Sequence, residues 1–244
     1  MNHLTQVVTI SVIDIETQKE VERRIIESPS VFNQEIETNR WLNKGYSVER
    51  LVKEESGTNL SVIIYLRVKE ELIFPNEFKR AGDKVDAKLD LSWPQGVDQK
   101  DLNATYERIV SFTYEDGRKV FEPVMDQIKL TRTALVNFVT GEIGYLPWKS
   151  STGYMAFPDV SVPALPGYTT DKDMVKGVEV LKLKTEKLES NIVYKRQKQL
   201  ITIQVVEEET NTILREEEFE GKTGDAIRYP SQDLITRFVA KGYE

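Results

Sequence analysis

Val8, Ile10 and Val12 alternate with Thr9 and Ser11, the period-two pattern of a strand with one buried face. Ile201, Ile203 and Val205 repeat that pattern near the other end of the chain. A polar turn follows each run, Glu16-Thr17-Gln18-Lys19 in one case and Glu209-Thr210-Asn211-Thr212 in the other, and then a second strand. The rhythm changes over Ser231–Lys241, where Leu234/Phe238 and Ile235/Val239 stand four apart, as on one helix face. Ser231 is placed to cap that helix, and Gly242 to end it in a left-handed turn. Earlier in the chain only the last turn of such a helix matches, with Trp41 where Phe238 stands. Tyr46–Lys53 and Leu60–Lys69 then follow as strands. The order strand, strand, helix, strand, strand suits a β-grasp, a small sheet crossed by one helix.

The two ends are copies. Ile10 aligns with Ile203, Val12 with Val205 and Thr17 with Thr210 at a shift of 193, and Lys44-Gly45-Tyr46 matches Lys241-Gly242-Tyr243 at a shift of 197. A period of about 195 residues is too long for a solenoid unit and denotes a repeated multi-domain block. A second echo lies inside it. Leu60–Arg67 (LSVIIYLR) matches Glu189–Arg196 (ESNIVYKR), and each follows a Gly-Tyr pair, Gly45-Tyr46 or Gly167-Tyr168. Upstream of these stand comparable opening strands, Val8–Asp14 and Ile109–Asp116. The reading is a first module over 1–70, a connector over 71–104, a related module over 105–196, and over 197–244 the start of a further first-type module, cut at Glu244. In the middle module Pro158, Pro163 and Pro166 block a continuous helix, and Gln127–Val139 with Ile143–Trp148 reads as a long hairpin around Thr140-Gly141-Glu142. The alternation of Val85, Ala87, Leu89 and Leu91 makes the connector weakly strand-like. The fold class expected is α+β and β-rich: tandem β-grasp (ubiquitin-like) modules arranged as an elongated rod.

Composition narrows the chemistry. With no cysteine among 244 residues, thiol catalysis, thiolate metal sites and disulfides are excluded. The one histidine, His3, sits in the terminal arm, so triad and zinc chemistry lack parts. Forty acidic residues supply carboxylates, but no spacing marks a pair for acid–base work. Neither a cofactor nor a metal is expected. A formal charge of −7 argues against nucleic acid, and no run approaches the ~18 apolar residues of a membrane span. The expectation at both ends is an excised piece of something longer, because no basic-then-apolar leader opens the chain and no sorting motif closes it.

Trp93 through Arg196 resembles the second half of a mucus-binding (Mub) repeat. The residues that carry the resemblance are WPQGVDQKDL, YEDGRKV, IKLTRTALVNFVTGEIGYLPW, VPALPGYTTDKDMV and NIVYKRQ, in that order. Segments 8–69 and 201–244 are similar to its first-half, MucBP-related module, with 71–92 the part least like the family. The resemblance implies an extracellular adhesin of lactobacilli and relatives, cell-wall anchored in its parent, that binds mucin glycoproteins weakly and gains from many copies. It implies no catalytic residue and no enzyme. Immunoglobulin binding by edge-strand pairing, or a purely mechanical spacer role, are the competing readings.

For a sugar-stacking ring the candidate is Trp93, beside Pro94 in the connector, with packing at the module junction as the competing reading. Trp41, Trp148 and the recurring Tyr46, Tyr168 and Tyr243 read as packing residues, and Glu207-Glu208-Glu209 with Glu216-Glu217-Glu218 as a solvated acidic face.

Overall fold

The computed structural model describes residues 7–27 and 32–243; His3 and Glu244 fall outside them. The chain is β-rich with short helices and divides into two compact units, Met1–Tyr106 with Gln127–Met155, and Glu107–Asp126 with Ala156–Glu244.

The first unit opens with β1 (Val7–Asp14), β2 (Glu20–Ile26), α1 (Gln34–Leu42), β3 (Tyr46–Ser56) and β4 (Asn59–Val68), in sheet order β2-β1-β4-β3. The central pair β1 and β4 is parallel, and its partners set Ile10 beside Val62 and Val12 beside Ile64. The alternation does what the sequence requires, because Val8, Ile10, Val12, Val62, Ile64 and Leu66 all bury one face at 0–1% exposure. Full burial of each such side chain is worth about 1.5–3 kcal/mol. The β1–β2 turn is built by the Asp14 carboxylate, which accepts the amides of Glu16 and Thr17, with Gln18 in the left-handed region at φ +56°. Asn33 caps α1, its side-chain oxygen accepting the amides of Glu35 and Ile36. The helix lays Trp41 on the sheet, and Arg40 grips Glu22 of β2 with both guanidinium nitrogens at 2.6 and 2.7 Å. The hydrogen bonds from Arg40 outweigh partial burial and hold the Glu22 carboxyl below the usual carboxylate range.

The chain continues with β5 (Glu70–Ile73), α2 (Gln99–Leu102), β6 (Asn103–Tyr114), β7 (Lys119–Thr131), β8 (Ala134–Asn137), β9 (Ile143–Tyr145) and β10 (Lys149–Ser150). Residues 71–104 do more than connect. Ile73, Trp93, Val97 and Leu102 close a second core with Ala134, Val136 and Phe138, and β5, β8 and β9 form its three-stranded sheet. The long hairpin expected from Gln127 to Trp148 is also corrected. β7 ends at Thr131, and only β8 and β9 form a hairpin, pairing Ala134 with Tyr145 and Val136 with Ile143. Its tip is the Thr140-Gly141-Glu142 turn, closed by the Gly141 amide on Asn137 O at 2.9 Å.

In the second unit β13 (Tyr168–Thr169) and β16 (Lys187–Arg196) join β6 and β7 in the order β7-β6-β16-β13, and β6 is parallel to β16. Its further elements are β11 (Ala156–Phe157), β12 (Val160–Ser161), β14 (Met174–Val175), β15 (Val178–Glu179) and a 3-10 turn (Val180–Lys182). The strand order therefore repeats that of the first module. Where α1 lies there, short ladders β11–β15 and β12–β14 stand here, in keeping with the three prolines, and Val160 with Val162, Leu165 and Val175 cover Val110, Phe112, Ile192 and Tyr194. Ile192 and Tyr194 hold the inward places of Ile64 and Leu66, a shift of 128. The letter match of Tyr65 with Tyr194 is thus one residue out of register, and a slip of one turns every side chain to the other face.

The last elements are β17 (Lys198–Val206), β18 (Ile213–Lys222) and α3 (Ser231–Val239). They reproduce the opening of the chain in detail. A bulge at Val205/Val206 matches that at Val12/Ile13, and Asn211 at φ +55° matches Gln18. Pro230 rather than Ser231 occupies the cap position of α3, with no side-chain cap bond, because the helix begins at Ser231 itself. Gly242 ends the helix at φ +97°, as expected. No residue of α3 is buried, and an apolar cleft of about 310 Å³ lies between Val205, Leu214, Leu234 and Phe238.

Candidate ligand-binding surface

Trp93, the stacking candidate from the sequence, is buried, in line with the competing reading of a packing residue. It is 6% exposed, tilted against Phe138 at 5.3 Å, with the Lys79 ammonium 4.9 Å from its ring centroid. The reason is the second core, in which Trp93 fills the space between the 73–102 segment and β8. Trp41 is likewise buried. Trp148 is half-buried, and it does not simply pack.

Trp148 shares a cation with Tyr145. The Arg132 guanidinium carbon lies 3.5 Å from the Tyr145 ring centroid and 4.4 Å from that of Trp148. Arg132 comes from the two-residue break between β7 and β8, where the chain leaves one sheet for another. Its backbone amide donates to Leu102 O at 2.9 Å and its Nε to Asp101 O at 2.7 Å, so the head group is fixed from the α2 side. Tyr145 is fixed from a different loop, through its hydroxyl, which donates to Gly96 O at 2.9 Å. Gly96 is required there. Its φ is +101°, and a Cβ would stand 2.5 Å from the tyrosine oxygen.

The result is a rigid, solvent-facing patch of two amphipathic rings and one immobilised cation, flanked by Leu146 at 47% exposure. Such a patch stacks against the C–H face of a pyranose and offers guanidinium N–H donors to its hydroxyl or carboxylate oxygens. Sequence reasoning had Trp148 as a packing residue and did not single out Arg132 or Tyr145. The signal was the Thr-Arg-Thr break and the Gly-Tyr-Leu-Pro-Trp run, but their meeting depends on a hairpin register that letters alone do not carry. A separate cleft of about 490 Å³ is lined by Phe78, which is 87% exposed, together with Lys79, Arg80 and Lys100. Among the described residues no group of three or more His, Asp or Glu stands close enough to hold a metal ion, and no helix is long and apolar enough to cross a membrane.

Two family models match the chain in succession, a Muc B2-like domain over residues 97–198 and a mucin binding domain over residues 199–244. No curated protein matches. Among solved structures, Mub-RV shares the fold, with a TM-score of 0.52 at 15% identity over 79% of this chain and 99% of that one. The type 2 repeat of the mucus binding protein MUB from Lactobacillus reuteri aligns over 79% of this chain and 100% of its own, at 16% identity and a TM-score of 0.40. A MucBP domain of the adhesion protein from Pediococcus pentosaceus aligns over 38% of this chain and 99% of its own, at 27% identity and a TM-score of 0.33. The chain is therefore β-rich and resembles the mucus-binding repeats. Within it, residues 97–198 are a Muc B2-like domain and residues 199–244 a MucBP-type mucin binding domain.

Proposed function

We propose that this chain is a repeat of an extracellular adhesin, anchored to the cell wall in its parent, that binds mucin glycoproteins through their glycans. The observation that carries this reading is the run of a mucin binding domain directly after a Muc B2-like domain. The patch of Arg132, Tyr145 and Trp148, inside the Muc B2-like domain, is the surface we assign to the glycan. Open and shallow, it suits weak binding per repeat, and linking weak sites raises apparent affinity about 10²–10⁴-fold without any new contact. Binding is the whole of the function on this reading, with no chemical step.

The test compares soluble chain with chain displayed at high density on beads, both against purified mucin. The expected result is weak binding in solution, a large gain on beads, and a loss of about tenfold or more in solution for the Tyr145→Ala/Trp148→Ala variant. Full binding by that variant would move the site elsewhere. Silence of the wild-type chain in both formats would end the mucin reading.

We further read the modules as tandem β-grasps in an elongated rod. The strand order β2-β1-β4-β3, its repetition as β7-β6-β16-β13, and the second strand–strand–helix opening, at β17-β18-α3, support this. Small-angle scattering is expected to give a radius of gyration well above the ~18 Å that size scaling assigns to a compact chain of this length. A value near 18 Å would sink the rod.

A further inference from the structure

Each module carries a Gly-Tyr pair at the equivalent place, Gly45-Tyr46, Gly167-Tyr168 and Gly242-Tyr243, and the structure gives the first two of these glycines the same set of partners. Gly45 accepts the amide of Lys69 at 3.0 Å, and Lys69 in turn accepts the amide of Phe138 at 3.0 Å. Gly167 accepts the amide of Gln197 at 2.8 Å, and Gln197 accepts the amide of Thr223 at 2.9 Å. Each relay joins three pieces: the glycine before the module's third strand, the residue just past its last strand, and a turn of the module or core that follows. Side chains reinforce both. Asn43 accepts the Asp90 amide at 2.7 Å beside the first, while the Thr223 hydroxyl donates to Gly167 O at 2.6 Å and Arg196 pairs with Asp225 at 2.6 Å in the second.

The glycines are required by this approach and not only by their backbone angle. A Cβ on Gly45, at φ +86°, would stand 2.2 Å from Phe138 O, and one on Gly167, at φ +79°, would stand 2.5 Å from Thr223 Cγ2. Gly242 has the same kind of backbone, φ +97°, yet a Cβ there would meet nothing within 4 Å among the described residues. Gly57, in the β3–β4 turn at φ +62°, is equally open. A left-handed turn alone therefore explains Gly57 and Gly242, and it does not explain Gly45 and Gly167.

We propose that the Gly-Tyr turn is a docking socket for the turn of the neighbouring module, and that the backbone relay through Lys69 or Gln197 clamps consecutive modules together in place of a flexible joint. The partner each socket fits is a β-turn backbone with a free amide, supplied by the next module of this same chain. Such a clamp would hold binding surfaces at fixed spacing along a repeat array.

Amide hydrogen exchange on the full chain tests this, read at Lys69 and Phe138 for the first relay and at Gln197 and Thr223 for the second. Gly45→Ala is expected to speed exchange at the first pair about tenfold or more and leave the second pair unchanged, and Gly167→Ala the reverse. Gly57→Ala and Gly242→Ala should change neither. Thr223→Ala, which removes the hydroxyl and adds no atom, should speed exchange at Gln197 about fivefold and so tests the second socket without overpacking. Protected relay amides in Gly45→Ala and Gly167→Ala would overturn the proposal. So would an equal loss at Ile10 and Ile64 or at Val110 and Ile192, because the glycine would then serve its own module's core.

Discussion

Replacing Arg108 with alanine is expected to destabilise the fold of the second unit by about 3–5 kcal/mol. By the register of the central strand pairs, Arg108 opposite Leu188 holds the place of Val8 opposite Leu60, so a guanidinium stands where the first module puts an aliphatic side chain. It is fully buried. Its Nε and Nη2 donate to Asp126 Oδ2 at 2.9 and 2.5 Å, its Nη1 to Pro158 O at 2.7 Å, and its guanidinium carbon lies 4.9 Å from the Phe157 ring centroid. Truncation removes the packing and strands the Pro158 carbonyl, while Asp126, a quarter exposed, recovers some hydration. Arg108→Met keeps the volume and should cost about half as much or less, and Asp126→Ala, which leaves the buried cation with one carbonyl partner, should match the alanine variant. Urea titration followed by exchange at the Val110 and Ile192 amides measures all three. A cost under about 1 kcal/mol for Arg108→Ala would show that the network contributes nothing net.

That residue also marks where sequence reading stopped. Val8–Val12 and Ile201–Val205 were legible because alternation reports one buried face locally, and the helix at Leu234–Val239 because its apolar pairs lie within two turns. Arg108 offered no such signal, since whether a charge is buried depends on Asp126 and Pro158, 18 and 50 residues away. The partners of the connector were hidden for the same reason. Its alternation is faint over Val85–Leu91, and what orders it is a core shared with Ala134, Val136 and Phe138, a partnership set by sheet topology. Trp93 went with it.

The misaligned strand has a different cause. LSVIIYLR and ESNIVYKR align best by letters at a shift of 129, which pairs the partly exposed Tyr65 with the buried Tyr194. Tyr65 faces outward under Arg50, its ring centroid 4.2 Å from the guanidinium, whereas Tyr194 turns inward and donates its hydroxyl to Pro163 O at 2.5 Å. Burial pushes the Tyr194 phenol above its ordinary value. Identity of letters follows chemistry, and facing follows parity. The candidate ligand patch suffered from the same limit, since Arg132, Tyr145 and Trp148 are brought together only by the β8–β9 register and by Gly96.

Where letters and facing agree, the repeat becomes a tool for prediction. Trp41 and Phe238 occupy equivalent helix positions, and each meets the following Tyr edge-on, Trp41 with Tyr46 at 5.5 Å and 79°, Phe238 with Tyr243 at 5.6 Å and 79°. Trp41 is 2% exposed and closes the core of Val8, Ile10, Val12, Val62, Ile64 and Leu66. Trp41→Ala is therefore expected to cost about 3–5 kcal/mol, the lost transfer energy plus the cavity left under α1. Trp41→Phe should cost about 1.5 kcal/mol or less. The edge-on contact with Tyr46 survives in the phenylalanine, as Phe238 demonstrates, and the indole Nε1 has no hydrogen-bond partner among the described residues. What phenylalanine gives up is ring area under the Lys44 ammonium, which lies 4.3 Å from the Trp41 ring centroid. Exchange at the Ile10 and Ile64 amides under denaturant reads both variants in the first module alone. Equal costs for the two substitutions would mean that the indole fills a space the third module does not have, and that Phe238 is no guide to Trp41.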